Sequence, residues 1–302
     1  MNKVTLKQLR YFEALARLRH FGRAAEVSAI SQPALSMQIK ELEAGLGVPL
    51  VERGARQVRL TRFGAELVER AREILRAVDE LEDLARAAGD TLAGRLRIGV
   101  IPTIAPYLLP AFIGALGRDY AGLDLQIRET VTPKLLQELA EGRLDTAIVA
   151  LPVSEPSLIE VPLFSEVFML VRPEADRLKP VPDRERLREM RLLLLEEGHC
   201  FRDQALSFCD MGQAGAPREW LEGSSLSTLV QMVGAGIGVT LIPEMAVPVE
   251  TRSAAVAVAA FRDPQPKRTI GMVWRRTSPL AKQLTLVSEV LRATGAQIRQ
   301  EV

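Results

Sequence analysis

Seven apolar residues follow one another at alternating intervals of four and three residues in the first third of the chain: Leu67, Ala71, Ile74, Val78, Leu81, Ala85 and Ala88. This is the heptad spacing of a helix whose apolar side chains form one narrow seam. It predicts a single long helix over 61–88, roughly 40 Å in length at ~1.5 Å per residue. So narrow a seam on so long a helix favours a second helix as its partner, although one side of a globular core is the alternative.

The long helix separates two stretches of opposite charge. Residues 1–62 hold eleven Lys and Arg against five Asp and Glu, a net +6, whereas the rest of the 302-residue chain carries −5. A basic head on a mildly acidic body indicates that the head binds a polyanion. Gly89–Gly94 breaks the helical pattern and predicts a hinge. The expected domains are therefore a head at 1–62, a linker at 63–93 and a body at 94–302.

The basic head has the pattern of a winged helix-turn-helix. Apolar periodicity predicts helices over 5–18 and 23–27, and a third helix that begins at the Ser31 cap and ends at 45–47. Polar and apolar residues then alternate over 57–60, which indicates a short strand in a basic hairpin. Helices, a turn, a further helix and a hairpin follow in the order that this DNA-binding fold requires.

The start of the third helix is the part expected to enter the major groove. The residues expected to face DNA there are Ser31, Gln32, Pro33, Ala34, Ser36 and Lys40. Gln side chains can pair with adenine edges, whereas Arg53, Arg56 and Arg59 at the hairpin turn would contact phosphate or the minor groove. The alternative is a small interaction module that binds no nucleic acid, which the charge of the head disfavours.

After the hinge, strands alternate with helices, as they do in α/β domains. The predicted strands are 96–100, 124–128, 146–151, 168–172, 192–195, 239–242 and 270–275, and the predicted helices are 107–116, 133–141, 225–236 and 278–294. The first three strands and their helices form a βαβαβ unit, which implies a parallel sheet. The length suggests two α/β lobes, at 94–167 with 268–302 and at 168–267, with a ligand crevice at the carboxyl ends of the strands.

Several classes of protein are disfavoured by what the sequence lacks. No apolar run approaches the ~18–20 residues of a membrane span, and Met1–Lys3 leads straight into an amphipathic pattern without a signal peptide. Two cysteines are too few for a disulfide scaffold or a four-cysteine zinc site, so a reducing cytoplasm is expected. The dinucleotide, Walker and Gly-x-Ser-x-Gly signatures are absent, so we expect neither an enzyme nor a cofactor.

Both cysteines and one of the two histidines lie within eleven residues, at His199, Cys200 and Cys209. A lone intracellular cysteine is usually a small buried hydrophobe, but this clustering favours a reactive pair. His199, Arg202 and the N-terminus of a helix starting near Phe201 could stabilise a thiolate, and the second thiol could resolve a sulfenic acid to a disulfide. A metal site is the competing interpretation. It offers three ligands without a fourth and lacks Cys-x-x-Cys spacing, so no metal is expected.

Segments along the whole chain resemble the LysR-type transcriptional regulators. In the head, the resemblance rests on Phe21–Lys40 with its run Ser31–Ser36, on Leu42–Arg53 and on Leu60–Gly64. The body resembles the peroxide-sensing members of that family, on the segments Ile101–Pro110, Gly198–Cys209 and Arg268–Gly271.

This resemblance implies a winged helix-turn-helix, a linker helix and a two-lobed α/β regulatory domain like a periplasmic binding protein. It implies that Cys200 is the peroxidatic cysteine and Cys209 the resolving one. The other residues it implies are Thr103, Thr132 and His199 to hold hydrogen peroxide, and Arg268 to favour the thiolate. The implied partners are double-stranded promoter DNA, hydrogen peroxide, RNA polymerase and other copies of the chain, in a homotetramer built as a dimer of dimers through the helix at 63–88.

Two rival functions remain open at this point. One is a LysR-type regulator gated by a small organic effector between the lobes, with inert cysteines. The other is a solute-binding or enzymatic α/β body that carries an accessory basic head.

Overall fold

The computed structural model describes residues 4–52, 58–87, 93–209 and 221–301. They fall into two compact units, Met1–Ala85 and Arg86–Val302, each with a hydrophobic core of its own. Among the described helices, none is long and apolar enough to cross a membrane.

The described part of the N-terminal unit contains the expected winged helix-turn-helix. Its elements before the long helix are α1 (Leu6–Leu18), α2 (Phe21–Val27), α3 (Gln32–Leu46), β1 (Val51–Glu52) and β2 (Arg59–Leu60). Its core is built from one apolar face of each helix and includes the buried side chains of Phe12, Leu15, Ala24, Leu35, Ile39 and Leu42. The two strands pair antiparallel and form the wing.

Local capping explains where these helices begin and end. Thr5 and Gln8 form a capping box at the start of α1, in which each side chain accepts from the other residue's backbone amide. α2 begins two residues before the predicted Arg23, because His20 takes the cap position and its Nδ1 accepts a hydrogen bond from the Arg23 amide. α3 ends at Gly47, whose φ of 75° favours glycine. Gly45 was expected to help end the helix, but it lies inside the last turn.

The long helix is confirmed as α4 (Arg62–Ala87). Ala71, in its N-terminal half, is fully buried. Further along, Ile74 and Leu81 are 46% and 64% exposed, as a seam that awaits a partner helix would be. The hinge predicted at Gly89–Gly94 lies largely outside the described residues, and its last residue, Gly94, begins a strand with a φ of 82°.

The C-terminal unit starts with the predicted βαβαβ segment. Its elements are β3 (Gly94–Val100), α5 (Ala105–Asp119), β4 (Leu123–Glu129), α6 (Thr132–Ala140) and β5 (Thr146–Leu151). β3 pairs parallel with both β4 and β5, so the expected parallel arrangement is confirmed for these three strands.

A strand of 16 residues, β6 (Leu158–Pro173), then crosses from one lobe to the other. Only its second half, 168–172, was predicted, because Glu160 and Glu166 interrupt the apolar pattern of the first half. The chain returns through β11 (Lys267–Arg275), which pairs antiparallel with β5 and with β6. The sheet is therefore mixed rather than purely parallel.

The second lobe is built on the far half of β6. Its elements are α7 (Arg184–Glu189), β7 (Leu192–Leu195), α8 (Cys200–Phe208), β8 (Glu222–Gly223), α9 (Leu226–Gly234), β9 (Val239–Pro243), α10 (Val247–Glu250) and β10 (Val256–Ala260). The closing helix, α11 (Ala281–Glu301), follows β11. The strand order is β4-β3-β5-β11-β6-β9-β7-β8, and β10 pairs with β6. The sequence did not predict α7, β8, α10 or β10.

Candidate functional site

A narrow crevice lies where β3, β4 and β7 end, which is where ligands are expected in α/β folds. It is lined by Ile101, Pro102, Thr103, Val131, Thr132, His199, Cys200 and Phe201. The structure thus brings together four residues that the sequence nominated, Thr103, Thr132, His199 and Cys200, from three separate segments of the chain. The crevice is narrow and has little free volume, which suits a small polar molecule.

Cys200 reaches this crevice because of the turn that precedes it. The buried strand β7 ends at Leu195, and Gly198 then adopts a φ of 96°, which favours glycine. His199 takes the cap position, and Cys200 is the first residue of α8. The half-buried Cys200 thiol therefore lies at the positive end of the α8 dipole.

Arg268 donates hydrogen bonds to both the side chain and the backbone carbonyl of Thr103. The Arg268 Nη1 donates to Thr103 Oγ1 at 2.8 Å, and its Nη2 donates to the Thr103 carbonyl at 3.0 Å. Because the Thr103 oxygen accepts from the guanidinium, its own single proton is directed to a different partner. Thr103 is 3% exposed and lines the crevice, so its hydroxyl can serve there as a donor.

The charge of Arg268 is balanced by Glu166, a residue the sequence analysis missed. The ion pair spans 2.8 Å, and both side chains are fully buried. Glu166 also accepts from the Met245 amide at 3.3 Å. The guanidinium lies over the Phe201 ring, 5.2 Å from its centroid, and is not among the groups that line the crevice. The signal in the sequence was an acid immediately before the apolar run 167–171, where burial would require a cation to balance it.

Thr132, at the start of α6, contributes a second hydroxyl. Its Oγ1 is buried, and among the described residues it has no hydrogen-bond partner. Buried polar atoms are nearly always paired, because leaving one unpaired costs ~1–3 kcal/mol. An orphan hydroxyl in the wall of a crevice therefore indicates a place where a small polar ligand binds.

Burial disfavours the positive charge that the sequence suggested for His199. Burial lowers the pKa of its imidazole below the ordinary value, although the nearby Glu196 carboxylate opposes the shift. The ring is therefore neutral at pH 7, and it can donate or accept a hydrogen bond in the crevice. Arg202, the other local cation suggested by the sequence, is not among the residues that line the crevice. Its guanidinium is hydrogen-bonded to Glu222 and to the Leu195 carbonyl.

Cys209 lies at the opposite end of α8 and is fully buried, and the described cysteines, Cys200 and Cys209, are not joined by a disulfide. The nine residue steps from Cys200 to Cys209 correspond to up to ~13 Å along a helix. A disulfide requires Cα atoms within about 7 Å. Among the described residues, no three His, Cys, Asp or Glu side chains come together as metal ligands, so the metal interpretation gains no support.

The N-terminal unit presents the start of α3 to solvent. Leu35 and Ile39 are buried, whereas Ser31, Gln32, Pro33 and Lys40 are exposed and Ala34 and Ser36 are half-exposed. Ser31 Oγ also caps the helix by accepting from the Ala34 amide. Arg59 is exposed on the wing, while Arg53 and Arg56 lie outside the described residues.

Known proteins resemble this chain in sequence and in fold. The DNA-binding transcriptional dual regulator OxyR of Escherichia coli (strain K12) is 43% identical over 296 residues, which cover 96% of this chain and 95% of that protein. Among solved structures, a full-length cysteine-to-aspartate variant of OxyR from Pseudomonas aeruginosa matches with a TM-score of 0.74 and 38% identity, over 96% of this chain and 95% of that one. A cysteine-to-serine mutant of Corynebacterium glutamicum OxyR, with H2O2 bound, matches with a TM-score of 0.68 and 36% identity, over 97% and 93%.

Two family descriptions also match. Residues 6–65 match the bacterial regulatory helix-turn-helix protein of the lysR family, and residues 89–296 match the LysR substrate binding domain. With both parts accounted for, the chain belongs to the LysR family of bacterial transcriptional regulators.

Proposed function

We propose that this protein is a DNA-binding regulator of the oxidative stress response, which senses hydrogen peroxide through a reversible Cys200–Cys209 disulfide. The observation that carries the proposal is the crevice itself. It places a thiol at a helix N-terminus beside one orphan hydroxyl, at Thr132, and one oriented hydroxyl, at Thr103. The relatives support it, since they include OxyR proteins and a probable hydrogen peroxide-inducible genes activator of Streptomyces viridosporus.

The chemistry proceeds in two steps. The Cys200 thiolate attacks one oxygen of hydrogen peroxide, the O–O bond breaks, and the second oxygen leaves as hydroxide, which takes up a proton to become water. The Thr103 and Thr132 hydroxyls position the peroxide, and neutral His199 exchanges a proton with the departing oxygen. The Cys209 thiol then attacks the Cys200 sulfenic sulfur, which forms the disulfide and releases a second water molecule. Arg268 acts through Thr103, and its role in favouring the thiolate stays a proposal.

The second step requires α8 to unwind, because its ends cannot meet while it is helical. Leu206, which is 4% exposed, and the half-buried Phe208 must then leave their sites. Removing such side chains from the core costs about 1.5–3 kcal/mol each, so the disulfide is expected to be easier to reduce than a structural one. A rearranged segment in the regulatory body could alter contacts between subunits and so the spacing of the DNA-binding heads.

The remaining assignments belong to the same proposal. Ser31, Gln32 and Lys40 on α3, with Arg53 and Arg56 in the wing, would bind double-stranded promoter DNA. α4 would pair with its counterpart in a second chain, within a homotetramer that contacts RNA polymerase in the cytoplasm. Each chain consumes one peroxide per switch and must then be reduced, so the protein acts as a switch rather than as an enzyme.

Operator footprinting of the reduced and the peroxide-treated protein tests the proposal. We expect the two footprints to differ, with two thiols lost per chain. Cys200→Ser should keep the reduced footprint and lose the response, because the thiol lies in a different unit from α3. Fast oxidation of that variant at Cys209, or an unchanged footprint after disulfide formation, would overturn the assignment. The effector-gated alternative predicts no thiol loss at all.

A further inference from the structure

The C-terminal end of α8 is held by the short helix α7, a contact that the proposed switch must break. The Arg188 Nε donates a hydrogen bond to the backbone carbonyl of Cys209. One turn away along α7, the Arg184 guanidinium lies over the Phe208 ring, 4.9 Å from its centroid. The Phe208 ring also meets the Phe261 ring in a T-shaped contact, with centroids 5.1 Å apart.

We propose that Arg188 is a positioning residue that latches α8 in the reduced form and sets the rate at which Cys209 reaches Cys200. The inference rests on the proposed function, since it concerns the second of its two steps. Two features single out Arg188. Its hydrogen bond ends on the resolving cysteine itself, and a bond from a charged donor is roughly twice as strong as a neutral one.

The two steps of oxidation depend differently on this latch. The first step forms the Cys200 S–O bond, breaks the O–O bond and releases water, all in the crevice at the N-terminus of α8, and it needs no movement of Cys209. The second step forms the S–S bond, breaks the S–O bond and releases the second water. It begins only after the Cys209 carbonyl has left the Arg188 guanidinium and Phe208 has left Arg184.

The consequence is a defined lifetime for the Cys200 sulfenic acid. A strong Arg188 contact slows disulfide formation and lengthens the lifetime of the sulfenic acid. A weak contact speeds disulfide formation and shortens that lifetime. Phe208 adds to the barrier, because its ring must give up contacts with both the Arg184 guanidinium and the Phe261 ring. Helix α7 therefore determines the speed of the switch, while the crevice determines its sensitivity to peroxide.

The test follows both steps after the full-length reduced protein is mixed with hydrogen peroxide. Quenched samples are treated with a sulfenic-acid trapping reagent and weighed by mass spectrometry, which separates thiol, sulfenic acid and disulfide. For Arg188→Ala we expect disulfide formation from the sulfenic acid to be about tenfold faster, as one charge-assisted hydrogen bond is lost. The rate constant of the first step should not change. Arg188→Lys, which keeps a charged donor, should restore part of the delay.

Arg186→Ala is the matched control. Arg186 is another exposed arginine on α7 and, among the described residues, makes no hydrogen bond or ion pair to α8. The Arg186→Ala substitution removes the same charge as Arg188→Ala, and both steps of oxidation should keep their wild-type rate constants. Equal disulfide rates for the Arg188 and Arg186 variants, or a change in the first step alone, would overturn the latch. If wild-type protein forms no sulfenic acid and no disulfide, the proposed function itself fails.

Thermal unfolding of the reduced variants shows whether each one is folded at the assay temperature. If Arg188→Ala unfolds at the assay temperature, Arg184→Ala takes its place, because it frees the Phe208 ring and leaves the backbone hydrogen bond intact. The latch then predicts a smaller acceleration of the second step alone. If the second step is no faster than in wild-type protein in whichever of Arg188→Ala and Arg184→Ala are folded, the proposal is wrong.

Discussion

The Arg268 Nη1 donates a hydrogen bond to Thr103 Oγ1 at 2.8 Å, and the two residues lie 165 positions apart in the chain. This bond joins β11 to the loop after β3, and it orients the hydroxyl of a residue that lines the same crevice as Cys200. The Thr132 hydroxyl lines the same crevice but has no partner among the described residues. The two threonines therefore make different contributions to stability, although both are proposed to bind peroxide.

Thr103→Val should lower both stability and reactivity. Valine has nearly the shape of threonine but leaves Arg268 Nη1 buried without an acceptor, so the free energy of unfolding should fall by about 1–3 kcal/mol. Oxidation of Cys200 should be about tenfold slower, since one hydrogen bond to peroxide is lost. Urea unfolding and peroxide stopped-flow measurements check the two effects. Thr103→Ser keeps the hydroxyl and should retain the rate.

Thr132→Val should lower reactivity without lowering stability. The substitution removes an orphan hydroxyl, so the free energy of unfolding of the reduced protein should stay the same or rise by up to about 1 kcal/mol. The rate constant of Cys200 oxidation should again fall about tenfold. If Thr132→Val destabilises the protein as strongly as Thr103→Val does, its hydroxyl already has a partner in the reduced state and the role given to it is wrong.

The sequence predicted most of the local structure because local structure follows local patterns. The heptad seam predicted α4, and the apolar run at 146–151 predicted β5 with its observed ends. Glu166 escaped notice because its partner, Arg268, is 102 residues away in the chain. Arg202 was expected beside Cys200, but a helix turn directs it to Glu222. Ion pairs between distant segments depend on strand order, which periodicity alone does not determine.

The depressed pKa of His199 makes stability depend on pH. Since burial lowers the pKa in the folded state, the unfolded chain binds more protons between that pKa and the unfolded value of about 6.5. The free energy of unfolding therefore falls as pH decreases through about 6.5, and this loss levels off below the folded pKa. His199→Gln, which cannot titrate, should show a smaller difference between pH 5.5 and pH 7.5 in urea unfolding. An identical difference in wild-type and variant would assign the pH dependence to other groups.

Substitutions in the head should distinguish residues that contact DNA bases from residues that contact phosphates. Gln32 is exposed at the start of α3, so Gln32→Ala should relax sequence preference while keeping the salt dependence of binding. Arg53→Ala should weaken binding to all sequences and reduce the slope of log K against log salt by ~1, as expected for one lost phosphate contact. Binding to operator and random duplexes at several salt concentrations measures both. If the two variants behave alike, the division between base and phosphate contacts is wrong.

Oxidation should melt α8 and leave the first lobe intact. In the reduced form the Cys209 amide donates to the Ala205 carbonyl at 3.2 Å, as the last turn of a helix requires. A Cys200–Cys209 disulfide needs the two Cα atoms within about 7 Å, against up to ~13 Å along the helix, so the hydrogen bonds of α8 must break. Hydrogen exchange should therefore show that amides of 200–209 lose protection on oxidation, while those of β3, paired with strands on both sides, stay protected. Unchanged protection across 200–209, in a sample whose disulfide is confirmed by mass, would mean that the two cysteines meet by some movement other than unwinding of α8.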